Sequence, residues 1–253
     1  GVGKTSIVSG LGSTLASRGK KVLLVDANFS APNLGIHFNI VEPEVAIQQV
    51  LGRKSNMKDA IYTVGDLDIL PAEIFSKTKF SPMRLRERIK PLKKKYDVIL
   101  IDSSPTMSEE SVATFNTADE IFFVTTPDHS TLSNTLKFIK EANQRGTPID
   151  GLIMNMVHEK NFEIPLDEIE STTNYPVMAI VPFDVSVKEA QSKFVPYTKH
   201  SPKSKGSKEL AKLAATLMGE KISSGSKWRA FFKLAPKKQD VNRQLFYERI
   251  FEE

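Results

Sequence analysis

The chain has no cysteine among its 253 residues. That excludes a disulfide framework and any zinc or iron–sulfur centre held by thiolates, and it is consistent with a reducing cytosol. Histidine is scarce: His37, His129, His158 and His200 fall at no metal-ligand spacing and read as surface or core residues. No apolar run approaches the ~20 residues that a membrane-spanning helix needs. There is no internal repeat. Ser103, Ser104 and Ser130 resemble nucleophiles by type alone, because no Ser-His-Asp spacing supports them. What remains is 40% hydrophobic and 26% charged residues with a formal charge of +5. This composition suits one globular domain with a short appendage.

Short aliphatic runs alternate with helix-length segments. The runs at Lys21–Asp26, Leu67–Leu70, Asp97–Asp102, Glu120–Thr125, Gly151–Met156 and Val177–Val181 read as strands. Several lack polar alternation, which fits parallel strands covered on both faces. Helices are expected at Lys4–Arg18, Met83–Lys95, Ser130–Arg145 and Ser207–Lys221, with Gly19 and Gly146 as helix stops. The rhythm predicts an α/β fold: a doubly wound, mostly parallel sheet flanked by helices. Residues 1–222 form the expected domain, and residues 223–253 a linker with a basic amphipathic tail.

The first residues, Gly1-Val2-Gly3-Lys4-Thr5-Ser6, match the second half of the phosphate-loop pattern G-x-x-x-x-G-K-[ST]. Glycines let backbone N–H groups turn inward around phosphate oxygens. Lys4 supplies a cation for the β- and γ-phosphates, the Thr5 hydroxyl can ligate Mg²⁺, and the following helix aims its positive end at the anion. A first strand is expected ahead of Gly1. Two later strands end in Asp26 and Asp102, where a P-loop fold places its magnesium-side carboxylates; cap or loop acids are the alternative, and Lys4 and Thr5 favour the functional reading.

GVGKTS is similar to the end of the phosphate loop K-G-G-V-G-K-T-[ST] of the MinD/ParA family of P-loop ATPases. The resemblance runs in order through about residues 1–220. KKVLLVDANFSAPNLGIHF resembles the family's strand and switch I, and VILIDSSPTM its switch II, with Asp102 at the strand end. LIMNMV resembles the strand whose Asn contacts adenine, pointing to Asn155, for which a hydrogen-bonded structural amide is the alternative. IVPFDVSVKEA resembles the loop that closes over the base, around Pro182, Phe183 and Asp184. The resemblance implies Lys4, Asp26 and Asn28 as catalytic residues, Gly1–Ser6, Asn155 and Pro182–Asp184 as the ATP site, and Thr5 and Asp102 as the Mg²⁺ side. It further implies an ATP-bound homodimer, a protein activator, and a cytoplasmic location, peripheral at the inner face of the cell membrane.

One position departs from the family: switch I usually reads D-x-D, and Asn28 stands at its second Asp. An amide cannot take a proton but can hold a water, so slow, partner-stimulated hydrolysis is expected. A nucleotide-gated scaffold with little hydrolysis is the alternative. ATP is favoured over GTP because the stretch around Asn155 lacks N/T-K-x-D. Iron–sulfur carriers of the same superfamily are disfavoured by the missing cysteines, and tyrosine-kinase relatives by the missing C-terminal tyrosine cluster.

The tail is basic from Lys199 to Lys238, and Trp228, Phe231 and Phe232 interleave with Lys227, Arg229 and Lys233 at helical spacing. Contact with an anionic membrane, docking on the domain or a protein partner, and contact with nonspecific DNA all fit this pattern, with membrane favoured over DNA. The last stretch, Val241–Phe251, ends in acids and is expected to pack on the domain or a partner.

Overall fold

The computed structural model describes residues 1–220 and 237–252. Strand β1 (Val22–Ala27) is buried along its whole length. The reason lies on its two faces: Val22 and Leu24 enter one core cluster, while Leu23, Val25 and Ala27 enter another. An alternating strand would have left one face to water.

β1 runs parallel to its two neighbours, β3 (Leu67–Leu70) and β4 (Val98–Ser103). Outside β3 an antiparallel edge strand, β2 (Tyr62–Val64), turns back through Gly65 at φ 62°. A second sheet holds β5 (Ile121–Thr125), β6 (Ile149–Val157) and β7 (Val177–Pro182), all parallel. The strand orders are β2-β3-β1-β4 and β5-β6-β7. The fold is therefore the expected mostly parallel sheet flanked by helices. β4 and β5 do not pair. Between them lies an apolar cleft of about 710 Å³, with Gly1, Val2 and Lys4 on its lining.

The described helices are α1 (Lys4–Ala16), α2 (Ile47–Leu51), α3 (Leu85–Ile89), α4 (Glu109–Thr117), α5 (His129–Gln144), α6 (Leu166–Thr173), α7 (Ser186–Ser192), α8 (Tyr197–His200), α9 (Lys205–Leu217) and α10 (Lys238–Tyr247). The expected helix over Met83–Lys95 is broken: only Leu85–Ile89 is α-helical, and Lys90–Lys94 is a 3₁₀ turn. Pro91 explains this, since it lacks the N–H that would continue the α-helical bonding and its ring crowds the carbonyl one turn earlier.

Residues 221–236, including Trp228, Phe231 and Phe232, lie outside the described residues. Beyond them, α10 packs on the domain. Arg243 is fully buried, and its guanidinium donates to the Met178 carbonyl at 2.6 Å, to Glu209 at 3.0 Å and to Asp240. Asn242 donates to the Val177 carbonyl at 2.8 Å. These bonds occupy main-chain acceptors of β7, an edge strand of its sheet, and covering an edge guards it against pairing with another chain. In the turn after α10, Arg249 pairs with Asp150 at 2.7 Å. Burial, with the neighbouring Asp150, pushes the Glu120 carboxyl up to about 7.

Candidate functional site

The phosphate loop begins the chain and bends at Gly3, whose φ of 82° no ordinary side chain favours. α1 starts at the next residue without a side-chain cap and without an acid in its first turn. Its first N–H groups and its positive end are therefore uncompensated, as an anion site requires. Lys4 stands beside them, and burial lowers its pKa, against the opposing charge of Asp102.

Parallel pairing of β1 with β4 sets Asp26 directly beside Asp102. The Thr5 hydroxyl donates to Asp102 Oδ2 at 2.6 Å, while the buried Oδ1 has no partner. Burial pushes Asp102 up to about 6. Asp26 is 0% exposed and is pushed to about 8 by burial and by the charge of Asp102. Three backbone N–H groups, from Asn28, Asn33 and Leu34, work in the opposite direction at 3.0 to 3.1 Å. They also fix the shape of the loop after β1.

Asn28 is buried in that loop. Its Nδ2 donates to the Ala31 carbonyl at 2.5 Å, which fixes the amide orientation and leaves Oδ1 buried without a donor. The loop is tied to its surroundings by an edge-on contact of Phe29 with Phe80 at 5.2 Å, and by Ser30 donating to Glu110 on α4.

Across the site, Asn155 lies at the end of β6. Its Nδ2 donates to the Val2 carbonyl at 2.8 Å, leaving Oδ1 as its acceptor. Pro182 ends β7, and Phe183 is half exposed and stacks on His158 at 4.8 Å. Burial pushes the Asp184 carboxyl up, but hydrogen bonds from Ser186 and from the Tyr197 hydroxyl, at 2.7 to 2.9 Å, outweigh it and hold the pKa low. The Asp184 side chain is thus engaged in shaping the start of α7. From α7, Gln191 donates to Ser6 Oγ at 3.0 Å.

The structure thus gathers Gly1–Ser6, Asp26, Asn28, Asp102 and Asn155 at one end of the sheets. Pro182–Asp184 connect to them through α7. The sequence reading missed Gln191, Glu110 and His158, which are defined only by contacts distant in sequence and carry no motif.

The first 150 residues match the family model described as AAA domain. An uncharacterized ATP-binding protein of Methanocaldococcus jannaschii is 31% identical over 88% of this chain and 86% of its own length. The crystal structure of the Pyrococcus furiosus cell division ATPase MinD superposes with a TM-score of 0.82 at 32% identity, over 86% of this chain and 94% of that one. The chain belongs to the MinD-like family of P-loop ATPases. The MinD of Pyrococcus horikoshii, solved with Mg-ADP, aligns at 30% identity with a TM-score of 0.81, over 86% of this chain and 91% of that one. The MinD-like chain is an ATPase whose cofactors are ATP and Mg²⁺.

Its residues fit the metal. The Asp102 Oδ1 is buried without a partner, the Thr5 hydroxyl bonds the other oxygen of the same carboxylate, and Mg²⁺ keeps several waters and takes phosphate oxygens rather than needing a cage of carboxylates. When bound, Mg²⁺ neutralises charge on the β- and γ-phosphates.

Proposed function

We propose that this MinD-like ATPase is a dimerisation switch that positions division, chromosome or surface-appendage machinery. Mg²⁺-ATP closes two copies face to face, and hydrolysis, stimulated by a protein activator, releases them. The observation that carries this reading is a set of exposed apolar side chains on loops that follow the strands. Phe75, Met107, Phe162, Phe183 and Val185 are 84%, 44%, 78%, 53% and 62% exposed. All of them sit on loops that follow strands at the same end of the sheets. Exposed apolar residues that share a face mark an interaction surface, and a second copy presents the same residues.

Within each copy, Lys4 and the first N–H groups of α1 hold the phosphates, and Thr5 and Asp102 hold the metal side. Asp26 shapes the loop that carries Asn28, whose free Oδ1 accepts a hydrogen bond from the attacking water. Asn155 Oδ1 accepts from the adenine amino group, where guanine would present a carbonyl oxygen. The loop Pro182–Asp184 closes over the base. The division role is carried over from the Pyrococcus furiosus cell division ATPase MinD.

Light scattering with Mg²⁺ and a non-hydrolysable ATP analogue should give a dimer, and with Mg²⁺-ADP a monomer. A monomer in both conditions removes the switch and leaves an ATPase. The basic aromatic segment Lys227–Lys233 supplies a second contact, to an anionic membrane. Because α10 packs on the domain through Arg243, the test is substitution rather than truncation. Serine at Trp228, Phe231 and Phe232 should abolish ATP-dependent sedimentation with anionic liposomes. Unchanged liposome binding excludes this segment, and salt-sensitive DNA binding without liposome binding favours a ParA-like mode instead.

A further inference from the structure

We propose that Asn155 is a positioning residue for the phosphate loop, held in place by a kink at Met156, and so acts at the phosphate end of the site as well as at the base. This inference rests on Gly1–Ser6 being the phosphate site.

Three observations meet at one point. First, β6 bulges where Asn155 lies: Met154 pairs with Ile180 and Val157 with Pro182, so three steps along β6 match two along β7. Second, Met156 within that bulge has φ 55°, a left-handed conformation that a non-glycine residue adopts rarely. Such a conformation persists where the surroundings over-determine it, and it clusters at functional sites. Third, the bulge sends the Asn155 side chain onto the phosphate loop, where its Nδ2 donates to the Val2 carbonyl at 2.8 Å.

The fit against the loop is close. A Cβ at Gly3 would stand 2.4 Å from Asn155 Nδ2 and 3.4 Å from Met156 Cε. Gly3 is thus required twice, by its φ of 82° and by the amide packed against it. The Val2 carbonyl and the Gly3 N–H belong to one peptide unit, so holding the carbonyl outward fixes the direction of the N–H. Asn155 therefore sets the plane of a peptide whose N–H is available to phosphate.

A residue that read only the base would affect only ligands that carry one. The deciding comparison is Mg²⁺-ATP against Mg²⁺-tripolyphosphate, titrated into wild type and Asn155→Ala. The dissociation constant for tripolyphosphate should rise roughly tenfold for the loss of one partly buried hydrogen bond, and that for ATP by at least as much, because ATP also loses the contact to its base. Asn155→Ser keeps a polar group but cannot span to Val2. It should give the same loss, and it guards against misfolding of the alanine variant. Weakened ATP binding with unchanged tripolyphosphate binding in the Asn155 variants would overturn the proposal, as would no loss for either ligand. If wild type binds neither ligand, the phosphate-site reading itself fails, which is a separate result.

Discussion

Among the described residues, charged and polar groups are buried both around α10 and at the phosphate end, and these two places differ in what is left over. Around α10, Arg243 is fully enclosed, and both terminal nitrogens of its guanidinium donate to Met178, Glu209 and Asp240. Lys212 adds a second cation to the same two acids. At the phosphate end, Asp26 and Asp102 lie side by side with raised pKa values, and acceptor atoms of Asn28 and Asp102 are buried without donors. Leaving a buried acceptor unmet costs about 1–3 kcal/mol. The first cluster matches charge with charge, leaves only the Arg243 Nε without an acceptor, and serves the fold. The second becomes complete when a ligand brings a cation and a proton-bearing water.

This contrast predicts that substitutions in the two places separate stability from chemistry. The largest effect is expected at α10. Arg243→Ala should lower unfolding free energy by about 3 kcal/mol, because it leaves Glu209 and Asp240 buried with a single cation. Urea denaturation reads this, and ATP affinity of the folded variant should stay unchanged. Loss of ATP affinity would show that α10 belongs to the site and would break the contrast.

The next effect concerns rate. Asn28→Asp supplies a group that can accept the water's proton, and single-turnover hydrolysis should rise by roughly tenfold. The gain stays below the full range for a general base because a carboxylate cannot donate to the Ala31 carbonyl as Nδ2 now does. No increase would remove Asn28 as the limit on turnover.

The smallest effect is a pH dependence at the turn beyond α10. The folded pKa of Glu120 is raised to about 7. A carboxyl with a raised folded pKa contributes stability that is present below its unfolded value and lost as pH rises through the folded value. Thermal midpoints should therefore fall between about pH 4.5 and 7 in wild type, and fall less in Glu120→Gln. Parallel curves for the two proteins would remove Glu120 from the account.

Much of the phosphate side was legible in the sequence because its signals are local. A glycine-rich turn before a helix and two aliphatic runs ending in Asp26 and Asp102 are visible within a few residues. Parallel register then brings the two acids together without further instruction. The rest depends on contacts distant in sequence. The orientation of the Asn28 amide depends on Ala31, and that of Asn155 on a bulge and on Val2. No window of sequence displays either. α4 escaped notice because its segment, Glu109–Thr117, is mostly polar, and its start is fixed by the Ser108 N–H donating to Ser111 Oγ at 3.0 Å. The break at Pro91 was legible, and the basic run around it obscured the signal.

The claim that the leftover acceptors await a Mg²⁺-adenine nucleotide is tested most directly by calorimetric titration of the wild-type chain with ATP and GTP, each with and without Mg²⁺. ATP should bind more tightly with Mg²⁺ than without it, and more tightly than GTP under the same conditions. Equal affinity for the two nucleotides, or indifference to Mg²⁺, would contradict it.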